Sequence, residues 1–91
     1  MIDYDDFDQE PSIADLKAIE DEFNDALLTY PLSTDSEKTL KDWTGLIKEY
    51  ADRALAETDI EKQHLRFVQA GNLAARAARA VRTGEYRSDH K

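Results

Sequence analysis

Apolar residues recur at helical spacing in three runs along this chain. In the first, Ile13, Leu16, Ile19, Phe23, Ala26, Leu27 and Tyr30 step by three and four, the spacing that lines one face of a helix. Pro11 closes the segment before it, Ser12 stands as an N-cap, and Asp15 falls in the first turn, where the helix dipole favours a negative charge. Pro31 ends the run. The pattern predicts a helix over residues 12–30.

A second helix is expected to begin near Asp35 or Ser36 and to continue to residue 57. Leu40, Trp43, Ile47, Tyr50 and Ala54 keep the alternating spacing of a packed seam, and Leu46, Ala51 and Leu55 widen it. The other face carries Lys38–Asp42, Lys48–Asp52 and Glu49–Arg53 at i,i+4, pairs worth about 0.2–0.5 kcal/mol each on a solvated surface. Thr58 and Glu61 fit a capping box, which predicts a third helix over 59–83 with Gly84 as its stop. Ile60, His64, Phe67, Val68, Gly71, Ala74, Ala75, Ala78 and Val81 share one face of it, the expected core face. Arg66, Leu73, Arg76, Ala77 and Ala80 point the other way, with Leu65 on the flank.

Short connectors between three amphipathic helices favour an all-α, up-down-up three-helix bundle over residues 12–84. An acidic tail, 1–11, precedes it and a short tail, 85–91, follows. Small residues at 71, 74, 75 and 78 would let a neighbouring helix approach, with Trp43 and Tyr50 filling the complementary space. The tripeptide Trp43-Thr44-Gly45 is similar to the Trp-x-Gly signature of small secreted helical-hairpin proteins. There the signature sits in the turn between helices; here it falls inside a helix pattern, so it assigns no family.

Charge changes this picture by being sorted along the chain. Residues 1–30 hold ten carboxylates and one base, Lys17, whereas residues 58–91 hold four acids and seven bases, five of them arginine. The net charge is −8, which disfavours non-specific attraction to nucleic acid or to anionic membranes. With no cysteine there is no disulfide framework and no thiolate metal site. The N-terminus lacks the pattern of a secretory signal, and the expectation is a cytoplasmic protein.

Candidate chemistry narrows accordingly. No Gly-rich phosphate loop, thiol nucleophile or Ser-His-Asp arrangement is visible, so the expectation is that the chain is not an enzyme and takes no cofactor. The Asp-x-Asp spacings near the N-terminus fail as a calcium loop, since counting from Asp3 the sixth and twelfth positions are Asp8 and Ala14. Glu61 and His64 match a Glu-x-x-His element, which in a dimer would need a further carboxylate such as Glu20, but capping explains Glu61 and His64 lies on the expected core face, so no metal is assigned.

What remains is binding. Asp3, Tyr4, Asp5, Asp6, Phe7 and Asp8 combine charge with two aromatic anchors, and Asp21, Glu22 and Asp25 extend the acidity along the first helix. These nine residues are the expected contact surface for a basic partner protein. A row of carboxylates on a rigid helix also has the charge layout of a nucleic acid, as an acidic inhibitor, antitoxin or phage anti-host protein would use. Leu65, Arg66, Leu73, Arg76, Ala77 and Ala80 mix apolar and guanidinium groups, a composition typical of interfaces, and are expected to form a second surface for a homodimer. The alternatives are nucleic-acid binding through Arg76, Arg79, Arg82 and Arg87, and a structural subunit of a larger assembly.

Overall fold

In the computed structural model, described from Gln9 to Ser88 with side chains from Ala14 onward, the chain forms three α-helices: α1 (Gln9–Thr29), α2 (Leu40–Ala56) and α3 (Ile60–Thr83). A 3-10 segment, Leu32–Glu37, joins the first two. Among the described residues there is no strand, only an isolated parallel bridge between Thr39 and Arg87. The all-α bundle is up-down-up. His64 meets Asp15 and Gly71 meets Ile19, so α1 and α3 run parallel. Gln63 bonds the carbonyl of Ala54 and Arg87 that of Lys38, so α2 runs antiparallel to α3.

Local chemistry sets the helix boundaries. α1 starts at Gln9, earlier than expected, and takes Pro11 into its first turn, where a missing N–H has no intrahelical partner to lose. Residues 35–37 belong to the 3-10 segment and not to α2, which starts at Leu40 under a capping box. Thr39 Oγ1 accepts from the Asp42 N–H at 3.0 Å and Asp42 Oδ2 accepts from the Thr39 N–H at 3.0 Å. Asp42 is thereby drawn away from Lys38, whose ammonium lies 5.2 Å from the Trp43 ring centroid. No capping box forms at α3: its N-cap is Asp59, with no side-chain bond, and Thr58 lies outside. Gly84, at φ 74°, ends α3 in the left-handed conformation that glycine adopts without steric cost.

The layers are unequal. α3 packs against both other helices, while contact between α1 and α2 is marginal. Gly71 permits the α1–α3 approach, since a Cβ built there would lie 2.8 Å from Ile19 Cδ1. Among the described residues, Trp43, Ala54, Val68 and Ala80 are the buried apolar ones.

The face of α3 turned inward is not the one its apolar residues suggest. Val68, Asn72, Arg76 and Ala80 are buried. By contrast Ile60, Phe67 and Val81 are 80, 55 and 53 % exposed, and His64, Ala74, Ala75 and Ala78 are exposed as well. The expected outward surface is corrected with it. Arg76 and Ala80 are enclosed, Arg66, Leu73 and Ala77 are half-buried, and only Leu65 stays open. The cause is an ion pair that local periodicity cannot register. Arg76 Nε and Nη2 donate to Asp35 Oδ2 and Oδ1 at 3.0 and 2.9 Å. Asp35 is 1 % exposed and Arg76 3 %. The same guanidinium donates to the carbonyls of Tyr30 and Pro31, at the end of α1. One arginine thus fastens the connector and the end of α1 to α3.

Candidate functional site

Because α1 and α2 scarcely meet, they leave a cleft of about 300 Å³ between them, floored by α3. Glu22, Ala26 and Tyr30 form the α1 wall, and Trp43, Leu46 and Tyr50 the α2 wall. Gln69, Asn72, Leu73 and Arg76 make the floor, and Asp35 and Lys38 close one end. Each wall follows from helical spacing, since residues three and four apart stand one above another. The volume is at the lower end of what a bound organic group occupies.

The cleft is mostly apolar and aromatic, and its charges compensate. Asp35 and Arg76 neutralise each other, leaving Glu22 on one wall and Lys38 at the end. Two polar atoms on its lining residues have no hydrogen-bond partner among the described residues: Trp43 Nε1 and Asn72 Oδ1. Their side chains belong to residues only 2 and 5 % exposed. Buried polar groups are bonded in the great majority of cases, and an orphan is costly. Both atoms are themselves enclosed, so they are unsatisfied within the packing and not presented to the cleft.

The acidic residues divide between two settings. Asp21 is exposed and accepts from Lys17 Nζ at 3.2 Å, and Glu20 lies 3.9 Å from the same ammonium. Asp25 is exposed, whereas Glu22 is half-buried in the cleft wall. Leu28, three residues beyond Asp25 on the same side, is 86 % exposed. The N-terminal candidates Asp3, Tyr4, Asp5, Asp6, Phe7 and Asp8 lie outside the described residues.

The arginines are largely engaged within the fold. Arg66 donates to Glu57 at 3.1 Å and to Gln69 at 3.2 Å, and Arg79 pairs with Glu85 at 2.9 Å. Arg76 is enclosed with Asp35. Arg82 and Arg87 are exposed. His64 bonds Asp15 across the α1–α3 contact at 3.1 Å. Among the described residues no group of three or more potential metal ligands converges, and no helix is long and apolar enough to cross a membrane.

Sequence reasoning assigns Asn72 no role, offers Asp35 only as a start for the second helix, and marks Trp43 as core alone. The signal for Asn72 was present: Val68, Asn72, Arg76 and Ala80 follow one another at four-residue spacing, a stripe that counting apolar residues alone does not reveal. No family model matches the chain, and no curated protein or solved structure matches it either.

Proposed function

We propose that this chain is a non-enzymatic helical interaction module that binds, and by binding inhibits, a basic partner protein through the open side of α1. The observation that carries the reading is the exposure of Asp21, Asp25 and Leu28 on one side of that helix. Acidic groups there steer a basic partner, and an exposed leucine among them adds apolar contact at no cost to the fold. Five carboxylates against one lysine between residues 14 and 30 give the same surface a layout that could stand in for nucleic acid.

Two other readings lose residues they depended on. Nucleic-acid binding needs free arginines, and Arg76 and Arg79 are held by Asp35 and Glu85. A homodimer through Leu65, Arg66, Leu73, Arg76, Ala77 and Ala80 loses Arg76 and Ala80, which are enclosed, and keeps Leu65 open with Arg66, Leu73 and Ala77 half-buried.

The test is capture of partners by the full chain, with nuclease added, followed by measured affinity for the recovered protein. The expected partner is basic, and its binding fails as ionic strength rises from about 0.1 to 1 M and the screening length contracts from about 10 to 3 Å. Replacing Asp21 and Asp25 with Asn should lower affinity in the same direction. Binding that ignores salt and both substitutions, or that vanishes with nuclease, would end the proposal.

A further inference from the structure

We propose that the outward face of α3 is a homodimer interface, on which α3 of a second copy of this chain lies antiparallel. Ile60, Phe67, Ala74 and Val81 follow one another at seven-residue spacing. A strict heptad drifts only about 20° per repeat, so the four stay within roughly 60° on one side of the helix. All four are exposed, and the three large ones are 80, 55 and 53 % exposed. His64 and Gly71 meet α1, while Gln63 and Arg66 meet the end of α2. The stripe runs between these two lines of contact, along about 32 Å of helix. An apolar stripe of that length and period is the seam of a helix pair. The fold loses little by leaving it wet, and association recovers the burial that the single chain forgoes.

Charge selects the occupant and its direction. Because α1 and α3 run parallel, both begin at one end of the bundle, where Asp15, Asp59 and Glu61 lie. That end also belongs to the stretch 1–30, with its ten carboxylates and one base. The other end of α3 carries Arg82 and, beyond it, Arg87, both exposed. Asp59, Glu61 and Arg82 have no ion-pair partner among the described residues. Parallel pairing would set each of these groups beside its own copy, acid on acid and arginine on arginine, which repels. Antiparallel pairing about a two-fold axis beside Ala70 and Gly71 brings Ile60 opposite the partner's Val81 and Phe67 opposite the partner's Ala74. It also brings Asp59 opposite the partner's Arg82, and the symmetry makes each contact twice. A large side chain then meets a small one on either side of the axis. The open side of α1, with Asp21, Asp25 and Leu28, stays outside this face, so the dimer presents two copies of it.

The test is sedimentation equilibrium of the full chain over a range of concentration. A reversible dimer is expected, and Phe67→Asp should raise its dissociation constant about a hundredfold, because the symmetry counts each loss twice. Phe67 is open in the folded chain, so the urea midpoint of this variant, read on the monomer, should match the parent's and separates lost pairing from lost folding. Leu28→Asp, on the open side of α1, should leave the dimer unchanged. Direction is read with single cysteines, since the chain has none of its own. Under mild oxidation a mixture of the Ile60→Cys and Val81→Cys chains should yield the mixed disulfide, and neither chain should cross-link to itself. A chain that stays monomeric at about 1 mM, or a dimer indifferent to Phe67→Asp, overturns the proposal. Self-cross-linking of Ile60→Cys overturns the antiparallel arrangement. If the parent is monomeric and Phe67→Asp abolishes capture of the basic partner, this face belongs to that partner and not to a second copy. If the chain does not dimerise while Asp21→Asn and Asp25→Asn still weaken capture, the dimer falls and the partner reading stands.

Discussion

The two faces of α3 are built in opposite ways. The face turned inward carries an amide and a guanidinium between Val68 and Ala80, and it is enclosed. The face turned outward carries Ile60, Phe67 and Val81, each more than half exposed. Polarity alone would assign them the other way round. What decides is whether a polar group finds its partner: Arg76 meets a bidentate carboxylate and two carbonyls, so its burial is compensated. The apolar face loses little by staying wet, because an exposed hydrophobe forgoes a gain and incurs no penalty. A helix therefore settles by the worst group it would leave unsatisfied, more than by its hydrophobic stripe.

The sharpest way to break this comparison is to remove one partner of the buried pair. Asp35→Ala strands a guanidinium in the interior, and the expected loss is about 3–5 kcal/mol. That is a large part of the roughly 5–15 kcal/mol that stabilises an ordinary domain. Asp35→Leu combined with Arg76→Met removes both charges and keeps the volume, and should be less damaging than either single change. Urea unfolding of the two singles and the double reads this directly. A cost below about 1 kcal/mol for Asp35→Ala, the range of exposed pairs, would show that the pair is not enclosed.

A second test sets two alanines of α3 against each other. Ala80 is fully enclosed and Ala78, two residues before it, is exposed. Leucine at position 80 must force its neighbours apart, at about 1–3 kcal/mol. Leucine at position 78 should stay within about 0.5 kcal/mol of the parent. Equal effects would mean that the faces are assigned wrongly.

How much of this was legible in the chain follows from the range of each signal. The three helices were readable because their spacing and stop residues, Pro31 and Gly84, act over a few positions. The α2 seam was readable in part: Trp43 and Ala54 are buried where the spacing puts them, whereas Leu40 and Leu55, expected on the same stripe, are exposed. The orientation of α3 was not, because its determinant joins Arg76 to Asp35, forty-one positions apart. Asp35 looked like a turn residue, and a helical arginine is more often on the surface. Start signals also competed. Thr39 and Asp42 outcompeted the expected start at Asp35 or Ser36, while the Thr58–Glu61 box did not form. For the candidate site, the carboxylates of α1 could be listed from sequence. The cleft could not, because it exists only through the gap between α1 and α2.

The smallest expected effect carries the contrast of enclosed and open charge to the outer surfaces. Lys17 bonds Asp21, with the negative charges of Asp21 and Glu20 adding to the effect, and this raises its pKa above the ordinary 10.5. Lys48 is raised in the same way by its bond to Asp52 and by that charge. A lysine whose folded pKa exceeds its unfolded value contributes stability that is complete below the unfolded pKa, and loses it as pH rises through the folded one. The window therefore opens near pH 10.5 and extends upward, and neutral or acidic conditions leave these contributions intact. Both side chains are open to solvent, so screening keeps the effect slight. Comparing the urea midpoint of the parent with that of Lys17→Gln/Lys48→Gln from neutral pH upward isolates it from the titration of other groups. The difference should be small and constant up to about pH 10, then shrink toward zero. A difference that instead grew with alkalinity would reverse the sign and show that these ammonium groups are destabilised in the folded chain, contrary to their geometry.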